Sequence, residues 1–317
     1  MDVKYEVIIC TVNRPRDFER TVHSVFSISN DIERLVTVDA GSPETQAENA
    51  RTLRQLGGSE RTLHLPFTGR PSLARQRNVG LEALRADTAI VHFLDDDVTL
   101  QPGYFEVINT LLMEDPMASG AGGRVVEPDR ERRDSDAFRA LAARAFLLDS
   151  RRPGRILRSG WTTPPQAHDL TNRVRVQWLS GCGCAYKCRM MRDLRFDDRL
   201  EGYSLDEDLD FSFTVSKRGS LWFTPDTQLV HHRSAANRMN SRELARDAII
   251  HRYWFVRKNL PGSSGLAFRW SLLGKRLAML TSNAPESLES IEGFKEGIAA
   301  IRNRDHYLLS DSAETSS

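Results

Sequence analysis

Three aspartates in succession, Asp95-Asp96-Asp97, close a strand-like run from Thr88 to Leu94. Adjacent carboxylates repel one another and lose hydration on burial, so a fold keeps such a triplet at a strand end when a cation or solvent compensates. Mg2+ or Mn2+ suits the position, because hard ions take oxygen ligands, commonly one or two carboxylates plus substrate phosphates. The alternative is a solvated acidic turn ahead of a helix that starts near Pro102. A second cluster, Asp206-Glu207-Asp208 with Asp210, follows Ser204. Ser204 and Glu207 have capping-box spacing, which predicts a helix from about Leu205, with Leu209 and Phe213 on its buried face and Lys217, Arg218 and Gly219 at its end. An ionised carboxylate in that first turn is suited to take a proton from an attacking hydroxyl; ordinary helix-start acidity explains any one of these residues but not all of them together. Further on, Thr227 to Val230 reads as a strand ending in His231-His232-Arg233-Ser234, where a neutral imidazole could ligate the same metal.

The elements that must carry these residues alternate. Val7 to Val12, Leu35 to Val38, Arg61 to Leu65 and Thr88 to Leu94 read as strands. Between them lie helices with Pro15 and Pro43 at first-turn positions, Ser42 as an N-cap, a stop at Gly57-Gly58, and a third helix from Ser72 to Leu84. This predicts a βα-repeating, mostly parallel sheet through about residue 115. In such sheets ligands bind beyond the carboxyl ends of the strands, so Thr11 to Arg14, Asp39 to Ser42 and Asp95 to Asp97 should share one site. No G-x-G-x-x-G follows the first strand, which argues against a dinucleotide fold. Asp39 can accept from a ribose hydroxyl or a base imino group, or simply cap its turn. After a Gly-rich, β-like stretch from Ala118 to about Pro128 comes a helical pattern from Asp134 to Leu148. A loop-rich region follows from Ser150 to Asn172, then a strand from Val174 to Leu179, and then Ser180-Gly181-Cys182-Gly183-Cys184, whose glycines suit either a close approach of backbone to ligand or a plain tight turn.

The 317 residues carry 44 Lys plus Arg against 43 Asp plus Glu, a formal net charge of +1, which argues against a general nucleic-acid binder and leaves nucleic acid off the list of expected partners. Cys10, Cys182, Cys184 and Cys188 read as reduced thiols. Zinc is disfavoured because no second C-x₂₋₄-C pair accompanies them. With no secretory pattern and no run of 18 uncharged apolar residues, the expected compartment is the cytoplasm.

Taken together, VIICTVNRPRDFERTVHSV, VTVDAGS, SLARQRNVGLEAL, FLDDDVTL, WLSGCGCAYKCRMM, FDDRLEGYSLDEDLDFSFTVSKRG and LVHHRS, in this order, resemble the family 2 glycosyltransferases over roughly residues 5 to 240. The resemblance implies a GT-A fold, Rossmann-like with a mostly parallel central sheet flanked by helices, and a nucleotide-diphosphate sugar as donor. Donor contacts are expected from the strand-end residues Thr11, Asn13, Arg14 and Asp96, and the resemblance implies them from Asp39 and from Arg77 and Asn78. Asp95 and Asp97, around Asp96, match the D-x-D element that binds Mn2+ or Mg2+, with His231 or His232 at a metal or phosphate contact. Asp208, beside Glu207, matches the general base, and Trp178 and Gly181 match the acceptor side. The implied reaction is inverting transfer to an acceptor hydroxyl, saccharide or lipid-linked, in polysaccharide or glycoconjugate synthesis. Gly183-Cys184 and Arg195-Phe196-Asp197-Asp198 stand where many relatives have Asn-Met and Gly-Phe-Asp-Glu, which bears on acceptor and sugar identity.

The expected organisation is residues 1–240 as the catalytic domain, split near residue 115 into nucleotide-binding and acceptor halves, a C-terminal helical extension over 241–309, and a disordered tail over 310–317. The stretch from Arg238 to Arg276 has nine Lys plus Arg against Glu243 and Asp247, together with Trp254, Phe255, Phe268 and Trp270. It reads either as a helical cap on the catalytic core or as a segment that rests on the inner, anionic face of a membrane. Two rival functions remain at this stage: a nucleotidyltransferase, which would normally show a Gly-rich phosphate loop after the first strand, and a non-catalytic carbohydrate-binding protein, for which the clustered carboxylates would be a cost without a use.

Overall fold

Tyr5, Val7 and Ile9 lie on one side of the first strand and Glu6, Ile8 and Cys10 on the other, and all six are buried, so this strand needs a packed layer on each face. The computed structural model supplies both layers; it describes residues 3–128, 137–167, 169–234, 239–281 and 288–309. In chain order the elements begin β1 (Tyr5–Thr11), α1 (Pro15–Ile28), β2 (Arg34–Asp39), α2 (Pro43–Leu56), β3 (Thr62–Pro66), α3 (Leu73–Glu82) and β4 (Ile90–Asp95). They continue β5 (Val98–Leu100), α4 (Tyr104–Glu114), β6 (Ala118–Val126), α5 (Ala137–Ala145), β7 (Val174–Val176), β8 (Gly183–Lys187) and α6 (Cys188–Met191). Then come α7 (Glu207–Ser216), β9 (Ser220–His231), α8 (Ser241–Asn259), α9 (Ser264–Thr281) and α10 (Leu288–Asn303).

Among the described residues the strands form one nine-stranded sheet in the order β3-β2-β1-β4-β8-β6-β9-β5, with β7 on β9. The β3-β2-β1-β4 half is parallel, as the alternating pattern predicts. β8 runs antiparallel to both β4 and β6, and β9 is parallel to β6 but antiparallel to β5 and β7. On one face Val7, Ile9 and Leu35 join Phe18, Val22 and Val25 of α1 and Ile108 and Leu112 of α4 in a single cluster. On the other, α3 sends the buried Gln76 amide to the carbonyls of Val38 and Thr11, at 2.9 and 3.3 Å, satisfying acceptors where two strands end. Ser42 and Ser72 cap α2 and α3 by accepting from the Thr45 and Arg75 amides.

Several boundaries differ from the sequence expectation. α7 begins at Glu207, and Ser204 does not cap it: the hydroxyl is buried and donates to the Leu200 carbonyl at 2.8 Å, while the position before the helix is Asp206 at φ 64°. The inward residues of α7 include Leu209, Phe211 and Val215, whereas Phe213 is half-buried. The strand expected over Val174 to Leu179 stops at Val176, and the glycine-rich stretch read as a turn runs into β8. Residues 134–136 of the expected helix and the 310–317 tail lie outside the described residues.

Two compact units divide the chain, one from Met1–Glu131 with Pro165–Arg238, the other from Arg132–Pro164 with Met239–Ser317. In the second unit α8, α9 and α10 close on Ile249, Val256, Phe268 and Phe294. Gly293 allows α10 to meet α8 at the backbone, since a Cβ there would stand 2.0 Å from the Arg242 carbonyl oxygen. Of the aromatic residues expected on the basic segment, Trp254, Phe255 and Phe268 are buried here and Trp270 is 48% exposed. No described helix is long and apolar enough to cross a membrane.

Candidate active site

Parallel pairing aligns the carboxyl ends of three strands: Thr11 lies opposite Asp39, and Cys10 opposite Asp95. Beyond β4 the chain turns through Asp96 and Asp97 into β5, and the three carboxylates separate. Asp96 points inward, accepting from Thr11 Oγ1 at 2.7 Å and Arg14 Nη1 at 3.1 Å, while Thr21 Oγ1 donates to its carbonyl at 2.9 Å. Burial pushes its carboxyl up to about 7, against the pull of Arg14 and Thr11. Thr11, Arg14 and Asp96 therefore brace the turn between β4 and β5.

Asp97 faces β9. Because β5 and β9 are antiparallel with Val98 opposite His231, the His231 imidazole reaches Asp97, Nε2 to Oδ1 3.2 Å, and the Ser234 amide donates to Asp97 Oδ2 at 2.8 Å. Burial alone would raise the Asp97 carboxyl, but the contacts with His231 and Ser234 outweigh it and leave it below its ordinary range. His231 is raised for the complementary reason, burial being overcome by Asp97 and Asp95. Asp95, Asp97 and His231 each offer a ligand atom, and these lie within 4.8 Å of one another, the group of this kind found among the described residues. His232, the residue after β9, turns the other way, its Nε2 2.8 Å from Thr99 Oγ1.

A buried guanidinium connects this cluster to the second acidic group. Arg77 of α3 is 2% exposed; its Nη2 donates to Asp95 Oδ1 at 3.2 Å and to the Gly181 carbonyl at 2.9 Å, and its Nη1 to Glu207 Oε1 at 2.6 Å. It lies over the Phe93 and Phe196 rings, 5.6 and 5.5 Å from their centroids. Glu207 is buried as well; burial raises its carboxyl, and the Arg77 guanidinium draws it back down. Glu207 thus serves as the counter-charge of Arg77. Its neighbour Asp208 is half-buried, accepting from the Gly181 amide at 2.8 Å and from the Leu209 amide at 2.7 Å. Burial raises the Asp208 carboxyl, and the Gly181 amide and Arg77 oppose that rise. Gly181 is thus held through both its N–H and its carbonyl, and a Cβ at residue 181 would lie 2.6 Å from Arg77 Nη1 and 3.0 Å from the Asp208 Cβ.

The remaining expected residues divide. Asp39 is fully buried and accepts from the Gly41 amide and Asn49 Nδ2, both at 2.8 Å, with His64 Nε2 3.1 Å away. Asn13, at φ 51°, accepts from the Ser42 amide at 2.7 Å, so these two residues shape the turns after β1 and β2. Asn78 clasps Phe196, donating to its carbonyl and accepting from its amide, both at 2.9 Å. Trp178 is half-buried in the segment between β7 and β8, three residues from Gly181. Spacing alone gave no signal for the Arg77 to Glu207 pair or for the roles of Thr21, Asn49, His64 and Ser234, since each partner is distant in sequence.

The description glycosyl transferase family 2 matches residues 6–192. The chain belongs to that family. Asp208 and His231 lie beyond the matched stretch of this family 2 chain and are brought to the site by α7 and β9. A comparison with curated proteins finds no match. Among solved structures it is similar to GalNAc-T7 with UDP, GalNAc and Mn2+, at 14% identity and TM-score 0.58, covering 96% of this chain and 58% of that one. The mannosyltransferase PcManGT from Pyrobaculum calidifontis, in complex with GDP-Man and Mn2+, is similar at 13% identity and TM-score 0.59, covering 96% and 88%. S. aureus TarS 1-349 is similar at 14% identity and TM-score 0.56, covering 95% and 82%. These likenesses establish a GT-A glycosyltransferase fold; the family 2 chain spans little more than half the length of the GalNAc-T7 chain.

Proposed function

We propose that this chain moves a sugar from a nucleoside-diphosphate donor to an acceptor hydroxyl, saccharide or lipid-linked, with inversion at the anomeric carbon. The observation that carries the reading is the Asp208 carboxylate held by the same Arg77 and Gly181 scaffold that holds Asp95 of the metal-ligating group. Two carboxylate oxygens and an imidazole nitrogen within 4.8 Å suit Mn2+ or Mg2+. Such an ion, when bound by Asp95, Asp97 and His231, supplies positive charge for the departing diphosphate. Asp208 accepts the proton of the acceptor hydroxyl as its oxygen bonds to the sugar C1, while the bond from C1 to the diphosphate oxygen breaks on the opposite face. The electron pair of that bond leaves with the nucleoside diphosphate. A carboxyl raised by burial is a stronger base than an exposed one, and the Gly181 and Leu209 amides fix its orientation.

The test is release of nucleoside diphosphate from UDP-, GDP- and dTDP-sugars screened with Mn2+. Asp208→Asn should lower turnover by about 10²-fold or more while leaving donor affinity, read by calorimetry, within about twofold. Full activity in Asp208→Asn would assign the base elsewhere.

A further inference from the structure

Helix α9 carries an apolar stripe that faces solvent. Leu266, Trp270, Leu273, Leu277 and Leu280 follow one another at four-three-four-three spacing, which sets them on one side of the helix, and their exposure runs from 42% at Leu277 to 75% at Leu280. The opposite side holds the buried Ser264, Phe268, Ser271 and Gly274. Beside the stripe stand the exposed Arg269 and Arg276, and α9 contains no carboxylate. α5, in the same unit, continues this character: none of its residues is buried, and Phe138 and Leu141 stand one turn apart and exposed. The two helices are tied together, since Phe146, directly after α5, stacks on Trp270 with 4.9 Å between centroids and Trp270 Nε1 donates to the Ala145 carbonyl at 2.9 Å. Residues 137–164 and α9 together hold nine Arg plus Lys against a single carboxylate, Asp149, in a chain whose formal net charge is +1.

We propose that this face docks on a bilayer containing anionic phospholipid. Charge selects that occupant over a second copy of the chain. Two such helices brought together would set arginine against arginine, with no carboxylate on either α9 to pair with them. Acidic headgroups, by contrast, pair with Arg269 and Arg276 while the leucines and Trp270 enter the acyl boundary. An 18-residue helix is roughly 27 Å long and lies flat in the interface. None of these residues belongs to the donor or base chemistry, so the docking face stands independently of the proposed reaction.

Flotation of the full chain with phosphatidylcholine vesicles, with and without about 30% phosphatidylglycerol, tests it. The expected result is binding to the anionic vesicles alone, weakened as sodium chloride rises to about 0.5 M. Arg269→Gln with Arg276→Gln should lower the partition coefficient about 30-fold, from about 1 kcal/mol per basic residue. Leu273→Glu with Leu280→Glu should abolish flotation and leave the melting temperature unchanged; should the leucine pair misfold, the arginine pair decides. Equal binding to neutral vesicles, wild-type partition in the arginine pair, or a concentration-dependent dimer lost in Leu273→Glu with no vesicle binding at all would each overturn the proposal.

Discussion

Arg77 joins three groups that the chain delivers separately: Asp95 from the end of β4, the Gly181 carbonyl from the approach to β8, and Glu207 from the start of α7. Removing one partner of a buried pair strands the other charge, at about 3 to 5 kcal/mol. Arg77→Met and Glu207→Leu should each destabilise the chain strongly in urea unfolding, and the double variant should be less destabilised than their sum, by about 1 kcal/mol or more. Simple additivity would show the pair to be idle. Asp208 gives the second prediction at this scale. Because burial raises its carboxyl and the base must be ionised to accept a proton, kcat/KM should fall as pH drops through that raised value, with an acid limb above the ordinary Asp range of about 3.9. An acid limb at or below that range would contradict the assignment. The carboxylates themselves were legible in the sequence because charge clustering is a local signal. Their division of labour was not, since it depends on which way each side chain turns: Asp96 toward Arg14, Glu207 toward Arg77, and His232 away from Asp97.

At the scale of elements, β4 buries His92 against α4, its Nε2 2.8 Å from Asn109 Oδ1 and its ring edge-on to Phe105 at 4.9 Å. Burial lowers its pKa to about 4, with the Asn109 bond opposing the shift. The sign follows: as pH falls below about 6.5 the unfolded chain takes up the proton first, so this residue's contribution to stability is complete above about 6.5 and declines until about 4, by about 3 kcal/mol in all. Urea midpoints at pH 7 and pH 5 should therefore differ, and His92→Gln should flatten the difference; an unchanged slope would mean that other groups govern it. Elements with strong period or clear punctuation were readable, as Pro15, Pro43, Ser42 and Ser72 show. β5 is three residues long, too short for any period, and β8 begins in glycine and cysteine that read equally well as a turn. Ser204 had the spacing of a cap, yet its hydroxyl bonds to the Leu200 carbonyl, a local alternative that competes with capping.

For the whole molecule, the Asp95, Asp97 and His231 cluster is assembled from both stretches of the first unit, with Asp97 meeting His231 and Ser234 across more than a hundred residues. A ligand that requires this assembly stabilises the folded chain by mass action. Nucleoside diphosphate with Mn2+ at about a hundredfold above its Kd should add about 2.7 kcal/mol to unfolding, and chelation or Asp97→Ala should remove that increment. A thermal shift that persists under chelator would separate nucleotide binding from the ion. The same long separations set a timetable for synthesis. Arg77 leaves the ribosome 130 residues ahead of Glu207, which at about 5 to 20 residues per second is a delay of roughly 7 to 26 s. Through most of that interval Asp95 and Phe93 are the partners at hand, so the guanidinium cannot be enclosed until the later stretch arrives carrying both the Phe196 ring and the Glu207 carboxyl.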